Sequence, residues 1–184
     1  MICRNLTREQ SNQIYRDVLG DEDHDAMRQL CLQDLFFLLT VGCRRKDIDH
    51  NWLYNRCREV EAAPDGFLDL WAREHYKSTI ITFGKSIQDL LADPDNTTIG
   101  IFSHTRPIAK DFLGQIKTEL ENNSFLKNLF PEVLYQKPQS ESRQWSLDGG
   151  IVLKRATNPK EANVEAWGLV DGQPTGKHFS ILIY

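Results

Sequence analysis

No stretch of the 184-residue chain stays apolar for the length of a membrane span, and Met1-Ile2-Cys3-Arg4 begins no secretory signal. A membrane-spanning or secreted protein is therefore not expected, and the sequons Asn5-Leu6-Thr7 and Asn96-Thr97-Thr98 read as coincidence. The four cysteines, Cys3, Cys31, Cys43 and Cys57, include no C-x-x-C pair. Three of them lie in a segment of helical pattern, so structural thiols are expected rather than a zinc site or disulfides. An excess of basic residues is also missing: 22 Lys and Arg against 26 Asp and Glu leave a net charge of −4, which excludes a globally basic DNA binder. Affinity for DNA would have to come from local patches or from assembly into a ring. Arg44-Arg45-Lys46 and Lys154-Arg155 with Lys160 are the candidates, each also readable as a solvated surface cluster. Asp21, Asp23 and Asp25 alternate like the start of a calcium loop, but Ala26 stands where that loop needs Gly and Leu32 where it needs Glu. A solvated helix N-terminus fits them better. There is no internal repeat and no low-complexity tract.

What is present is a globular composition, 40% hydrophobic and 26% charged, enough for one sizeable core. Residues 1–63 carry no strand signal. Helical stretches are expected at 7–19, 25–41 and 47–62, separated by Gly20 and Gly42, with Leu35-Phe36-Phe37-Leu38-Leu39 apolar on every side and therefore buried. From residue 64 the pattern changes. Phe67-Leu68-Asp69-Leu70-Trp71 alternates after the turn signal Pro64-Asp65-Gly66 and predicts a strand. Residues 78–92 have near-helical apolar spacing, 97–103 a β-branched strand pattern, 106–121 a helix with Ile108, Phe112, Ile116 and Leu120 four apart, and 179–184 a strand of buried type. Strand, helix, strand, helix, strand predicts an α/β fold with a mainly parallel sheet covered by helices. Residues 136–163, polar and punctuated by Pro138, Gly149-Gly150 and Pro159, read as a β-hairpin or a mobile excursion.

Between the first predicted strand and helix stands Trp71-Ala72-Arg73-Glu74-His75-Tyr76-Lys77-Ser78-Thr79. A Lys followed by two hydroxyls at a helix start gathers an ammonium, hydroxyls and unpaired backbone N–H groups around one point, which suits a polyphosphate with Mg²⁺. The phosphate-loop pattern G-x-x-x-x-G-K-[ST] is met only in part, because Trp71 and Tyr76 replace its two glycines. Lys77-Ser78-Thr79 alone would equally be a capped ordinary helix; the strand-loop-helix order around it favours the loop.

These residues resemble the large terminase subunit of tailed bacteriophages, the motor that drives DNA into a capsid. Ala72-Arg73-Glu74-His75-Tyr76-Lys77-Ser78-Thr79 is similar to the terminase variant of the Walker A loop, and Ile99-Gly100-Ile101-Phe102-Ser103-His104-Thr105-Arg106 to the helicase-like motif that follows it. The stretch Gly168-Leu169-Val170-Asp171-Gly172-Gln173-Pro174-Thr175-Gly176-Lys177-His178-Phe179 resembles the approach to the Walker B strand. The resemblance implies a P-loop NTPase core over 64–184, incomplete, preceded by an N-terminal helical region over 1–63 that helps frame the adenine. It further implies an ATPase with ATP and Mg²⁺ as cofactors, Lys77 on the β- and γ-phosphates, and Ser78 ligating Mg²⁺. Backbone groups of Glu74, His75, Tyr76, Lys77, Ser78 and Thr79 would cradle the phosphates. Arg73 would stabilise charge on the transferring phosphoryl group, catalytic together with Lys77; a salt bridge to Glu74 is its alternative.

The implied partners are double-stranded DNA, the portal protein, the small terminase subunit and further copies of the chain in a ring, and the implied setting is the cytoplasm of a bacterial host. The chain departs from the family in that Ile181-Leu182-Ile183-Tyr184 carries neither Walker B carboxylate, so a fragment with little turnover is expected, with an exposed sheet edge that favours self-association. Another helicase-like translocase, or a partner-binding module that does not turn over ATP, are the alternatives.

Overall fold

A computed structural model describes residues 6–63, 66, 68–72, 74–172 and 174–184. The chain forms two compact units, Met1–Gln88 and Asp89–Tyr184. The Lys77 loop thus falls with the helices of the first unit.

In the first unit, α1 (Arg8–Gly20) begins at a capping box: Gln10 N donates to Thr7 Oγ1 and Thr7 N to Gln10 Oε1. α2 (His24–Gln33) is capped by Asp23, whose carboxylate accepts from Ala26 N at 2.9 Å, so the alternating aspartates do mark a helix N-terminus. The helix expected over 25–41 is interrupted at Asp34, whose backbone is extended (φ −135°, ψ 99°). Its fully buried carboxylate caps α3 (Leu35–Phe37) at Phe37 N and also takes the Tyr15 hydroxyl and the Arg58 guanidinium. Those three donors compensate a charge that would otherwise be prohibitive inside the core, and the sequence period does not record them.

A π-helical turn (Leu38–Gly42) and a 3₁₀ turn (Lys46–Ile48) lead to α4 (Asn51–Ala62). All of 35–39 is buried, as expected, with Ile48, Leu53, Cys57, Ile80 and Ile87; each large apolar side chain so buried contributes about 1.5–3 kcal/mol. Cys31, Cys43 and Cys57 are buried too, and burial pushes the Cys31 thiol up to about 12. Inert packing thiols result, and no metal-ligating cluster occurs among the described residues. The single helix expected over 78–92 is a π-helix (Thr79–Lys85) continued by α5 (Ser86–Ala92). Gly84 permits that winding to press on the first π turn, since a Cβ there would lie 2.7 Å from Leu39 Cδ2.

The strand expected over 67–71 does not form at Leu68, Asp69, Leu70 or Trp71; Phe67 lies outside the described residues. Asp69 is held by Arg56 of α4 through two hydrogen bonds, 2.8 and 3.0 Å. Leu68 and Leu70 stand 76% and 82% exposed. The alternation is real, but its polar side faces the protein.

The second unit is built on a mixed five-stranded sheet, β1 (Ile99–Ser103), β2 (Trp145–Ser146), β3 (Gly150–Ile151), β4 (Val164–Gly168) and β5 (Ile181–Ile183), in the order β2-β3-β4-β1-β5. β1 runs parallel to β4 and β5, with Ile99 opposite Val164 and Ile181. β2 and β3 form the hairpin expected within 136–163 and join β4 antiparallel, so the sheet is α/β but mixed. α6 (Arg106–Asn122) packs on β1 and β4 through Ala109, Leu113, Ile116 and Leu120. The expected face was one residue off at its start, and Ile108 is 46% exposed. A strict four-residue repeat drifts around a 3.6-residue helix, whereas 109, 113, 116 and 120 stay on one side. α7 (Ser124–Leu129) and α8 (Pro138–Glu141) follow α6.

β5 is an edge strand rather than a buried one, with Leu182 51% and Tyr184 78% exposed. Among the described residues no helix is long and apolar enough to cross a membrane.

Candidate functional site

Residues 71, 72 and 74–79 line a cavity of about 470 Å³ in the first unit. Helix begins at Lys77, and the first hydrogen bond of its rise is Ile80 N to Tyr76 O at 2.9 Å. The preceding N–H groups, Lys77 to Thr79, are the orphan donors that every helix start presents.

The backbone just before them is unusual. Glu74 and Tyr76 have φ of +63° and +60°, the left-handed region, and His75 between them does not. For residues with a side chain that region costs about 1–2 kcal/mol each, and successive turns of opposite hand make the N–H concavity that holds anions. Tyr76 occupies the place of the second glycine in G-x-x-x-x-G-K-[ST], and takes the conformation that glycine would supply.

Lys77 is exposed and has no carboxylate or carbonyl partner among the described residues; Ser78 and Thr79 are half-buried, their hydroxyls equally uncommitted. Lys77, Ser78, Thr79 and a helix start therefore line one opening, with no partner for the ammonium or the two hydroxyls among the described residues, a set suited to a polyphosphate. Glu74 supplies the one carboxylate among the described lining residues. Of the residues singled out from sequence, Glu74, His75, Tyr76, Lys77, Ser78 and Thr79 are brought together on this wall, whereas Arg73 lies outside the described residues.

Two residues on α4 join the loop without any motif to announce them. Trp52 meets Trp71 (centroids 6.4 Å apart) and His75 (5.8 Å), both tilted by about 60°. Arg56 places its guanidinium carbon 4.1 Å from the centre of the Trp71 ring while holding Asp69. The only available signal was their spacing, four residues apart on one helix face. The Trp71 indole nitrogen is buried without a partner among the described residues. Nearby in the chain, Arg45 grips Asp47 through two hydrogen bonds (2.9 and 2.7 Å), which raises the Arg45 pKa and lowers that of Asp47. Arg45 is thereby spent, leaving Arg44 and Lys46 as the exposed members of that basic cluster.

In the second unit the end of the stretch 99–106 has a structural use. Arg106 N donates to Asp171 Oδ1 at 2.9 Å, while its side chain bonds the carbonyls of Ala166 (3.3 Å) and Asp148 (2.7 Å) and lies over Trp167. Gly168 is obligatory at that turn, because a Cβ would come within 1.9 Å of Asp171 Oδ1. The other proposed basic patch is committed to the fold. Lys154 bonds Pro131 O, Arg155 bonds Glu161 O, and Lys160 bonds Gly176 O, at 2.8, 2.7 and 2.8 Å. A second cavity, about 250 Å³, lies among Asp95, Thr98, Thr157, Glu161 and His178.

No family model matches the chain, and neither a curated protein nor a solved structure does. The functional reading therefore rests on the residues themselves.

Proposed function

We propose that this chain is the nucleotide-binding part of a DNA-packaging motor of the large terminase type, with residues 73–79 receiving the phosphates of ATP. The observation that carries the reading is the left-handed backbone at Glu74 and Tyr76 ahead of an exposed Lys77 that has no partner among the described residues. Glu22 and Arg44 adopt that region singly as well, but at 74 and 76 two such costly residues fall within three positions ahead of a helix start, the pairing that a phosphate loop would use. Lys77 would contact the β- and γ-phosphates, backbone N–H groups of 74–79 would surround them, and the Ser78 hydroxyl would hold Mg²⁺. Bound there, Mg²⁺ would offset the phosphate charge. Arg73 supplies a further permanent positive charge. Double-stranded DNA, the portal, the small subunit and other copies of the chain are the partners this reading carries, in the cytoplasm of a bacterial host. Another helicase-like translocase would use the same loop.

The acid inventory of the cavity favours a second reading, binding without turnover. Glu74 is its one described carboxylate, and the loop supplies no obvious pair of acids to orient metal and water.

Calorimetric titration with Mg²⁺ and a non-hydrolysable ATP analogue, beside Lys77→Ala, tests the proposal. Binding that falls at least tenfold in Lys77→Ala is the expected result. A folded wild-type chain that fails to bind, or a mutant that binds equally well, overturns it. Turnover that disappears in Lys77→Ala would refute the second reading alone.

A further inference from the structure

The helix that leaves the Lys77 loop is wound in two ways. Lys77 and Ser78 open it, Thr79–Lys85 is π-helical, and ordinary α winding resumes at Ser86. A π run of seven residues exceeds the single turn in which that winding mostly occurs, and π turns gather at functional sites. The local pattern does not demand it, since Ile80, Phe83 and Ile87 recur at the i, i+3, i+7 spacing of an α-helix. The wider winding coincides with a contact. Leu38–Gly42 is itself a π turn, closed by Cys43 N donating to Leu38 O at 2.7 Å. The two π segments meet where Gly84 lies on Leu39, whose Cδ2 a Cβ would approach to 2.7 Å. Left-handed backbone at Glu74 and Tyr76 and a π run from Thr79 thus follow one another within residues 74–85. Ile87, fully buried, pins the far end, so a change of winding over 79–85 is delivered to Lys77 and Ser78. Each residue that the winding gains or loses turns what precedes it by about 100°.

We propose that residues 79–85 are a two-state winding, in which the π form sets the Lys77 loop for a phosphate-bearing ligand and an α form withdraws it. The proposal rests on the phosphate-loop reading and adds its regulation. A ligand held only in the π form shifts the balance to that form, and by linkage any change that favours α winding weakens the ligand. Gly84→Ala is such a change. Ala is preferred over Gly inside an α-helix by roughly four- to fivefold, and its Cβ denies the π form its contact with Leu39.

Wild type and Gly84→Ala are titrated with inorganic tripolyphosphate in the presence of Mg²⁺, and both are unfolded in urea. Gly84→Ala should bind roughly fivefold more weakly or worse, while its urea midpoint stays at or above that of wild type. Nuclear magnetic resonance supplies a second readout: in wild type, cross-relaxation between the Gly84 Hα protons and the Leu39 methyl groups should grow when tripolyphosphate is added. Equal affinity in the two chains overturns the proposal, as does cross-relaxation that the ligand leaves unchanged. A Gly84→Ala chain that loses fold or stability together with binding overturns it too, and makes Gly84 a packing residue. A wild-type chain that binds no tripolyphosphate overturns the phosphate-loop reading itself, and this proposal with it.

Discussion

Replacing Glu74 by Ala and by Gly reads out the strain in the loop directly. The Glu74 side chain is exposed and φ is +63°, so both substitutions remove the same charge and little packing, and they differ only in the Cβ. The left-handed backbone costs an L-residue about 1–2 kcal/mol. Gly escapes that cost but loses about 0.5–1 kcal/mol more than Ala in backbone entropy on folding. The difference leaves Glu74→Gly more stable than Glu74→Ala by about 0.7 kcal/mol. At an ordinary exposed helical position such as Asn55 the order reverses, and Ala exceeds Gly by about 1 kcal/mol. The swing between the two sites, about 1.7 kcal/mol, is well within reach of urea denaturation. In thermal melts each kcal/mol moves the midpoint by roughly 2–4 °C for a chain of this size. If Ala proves as stable as Gly at position 74, the left-handed loop is not the conformation in solution, and the structural support for the phosphate site goes with it.

Asp34→Ala removes the cap of α3 and the Tyr15 hydroxyl's acceptor, and leaves the half-buried Arg58 guanidinium with Glu61, 3.3 Å away, as its carboxylate; a loss of about 3 kcal/mol is expected in urea denaturation. Gly168→Ala drives a Cβ into Asp171, whose carboxylate and carbonyl would lie 1.9 and 2.4 Å away, and should cost about 3 kcal/mol by the same assay, with no effect on phosphate binding in the first unit. Glu161 accepts from His178 N at 2.8 Å, and that bond holds its carboxyl below the usual value of 4.5. Its contribution is therefore present above about pH 4.5 and lost as pH falls through the lower folded value, so Glu161→Gln should flatten the acid limb of a stability-against-pH curve and a parallel curve would refute the assignment.

Much of the chain was legible because helix and strand periods are local. The caps at Thr7 and Asp23, the buried run 35–39, the β1 and α6 succession and the hairpin within 136–163 all follow from neighbours a few residues apart. The loop around Lys77 was picked out from one short motif and the helix after it, while the strand expected before it does not form at residues 68–71. What was not legible depended on residues far away in sequence. Asp34 looked like a polar residue inside a helix until Tyr15 and Arg58 arrived to neutralise it. Leu68 and Leu70 alternated like core residues, yet Arg56 claimed Asp69 and turned them outward.

The sequence by itself determined where helices and strands could form, that an α/β sheet would be built, and that an ammonium and two hydroxyls would stand together at a helix start. Tertiary structure decided which side of each element is covered, the left-handed backbone at Glu74 and Tyr76, and the presence of Trp52 and Arg56 at the loop. The physical reason is that a period in the sequence records that one face is apolar, whereas what covers that face, and what strain the chain will bear, are set by partners brought close only when it folds.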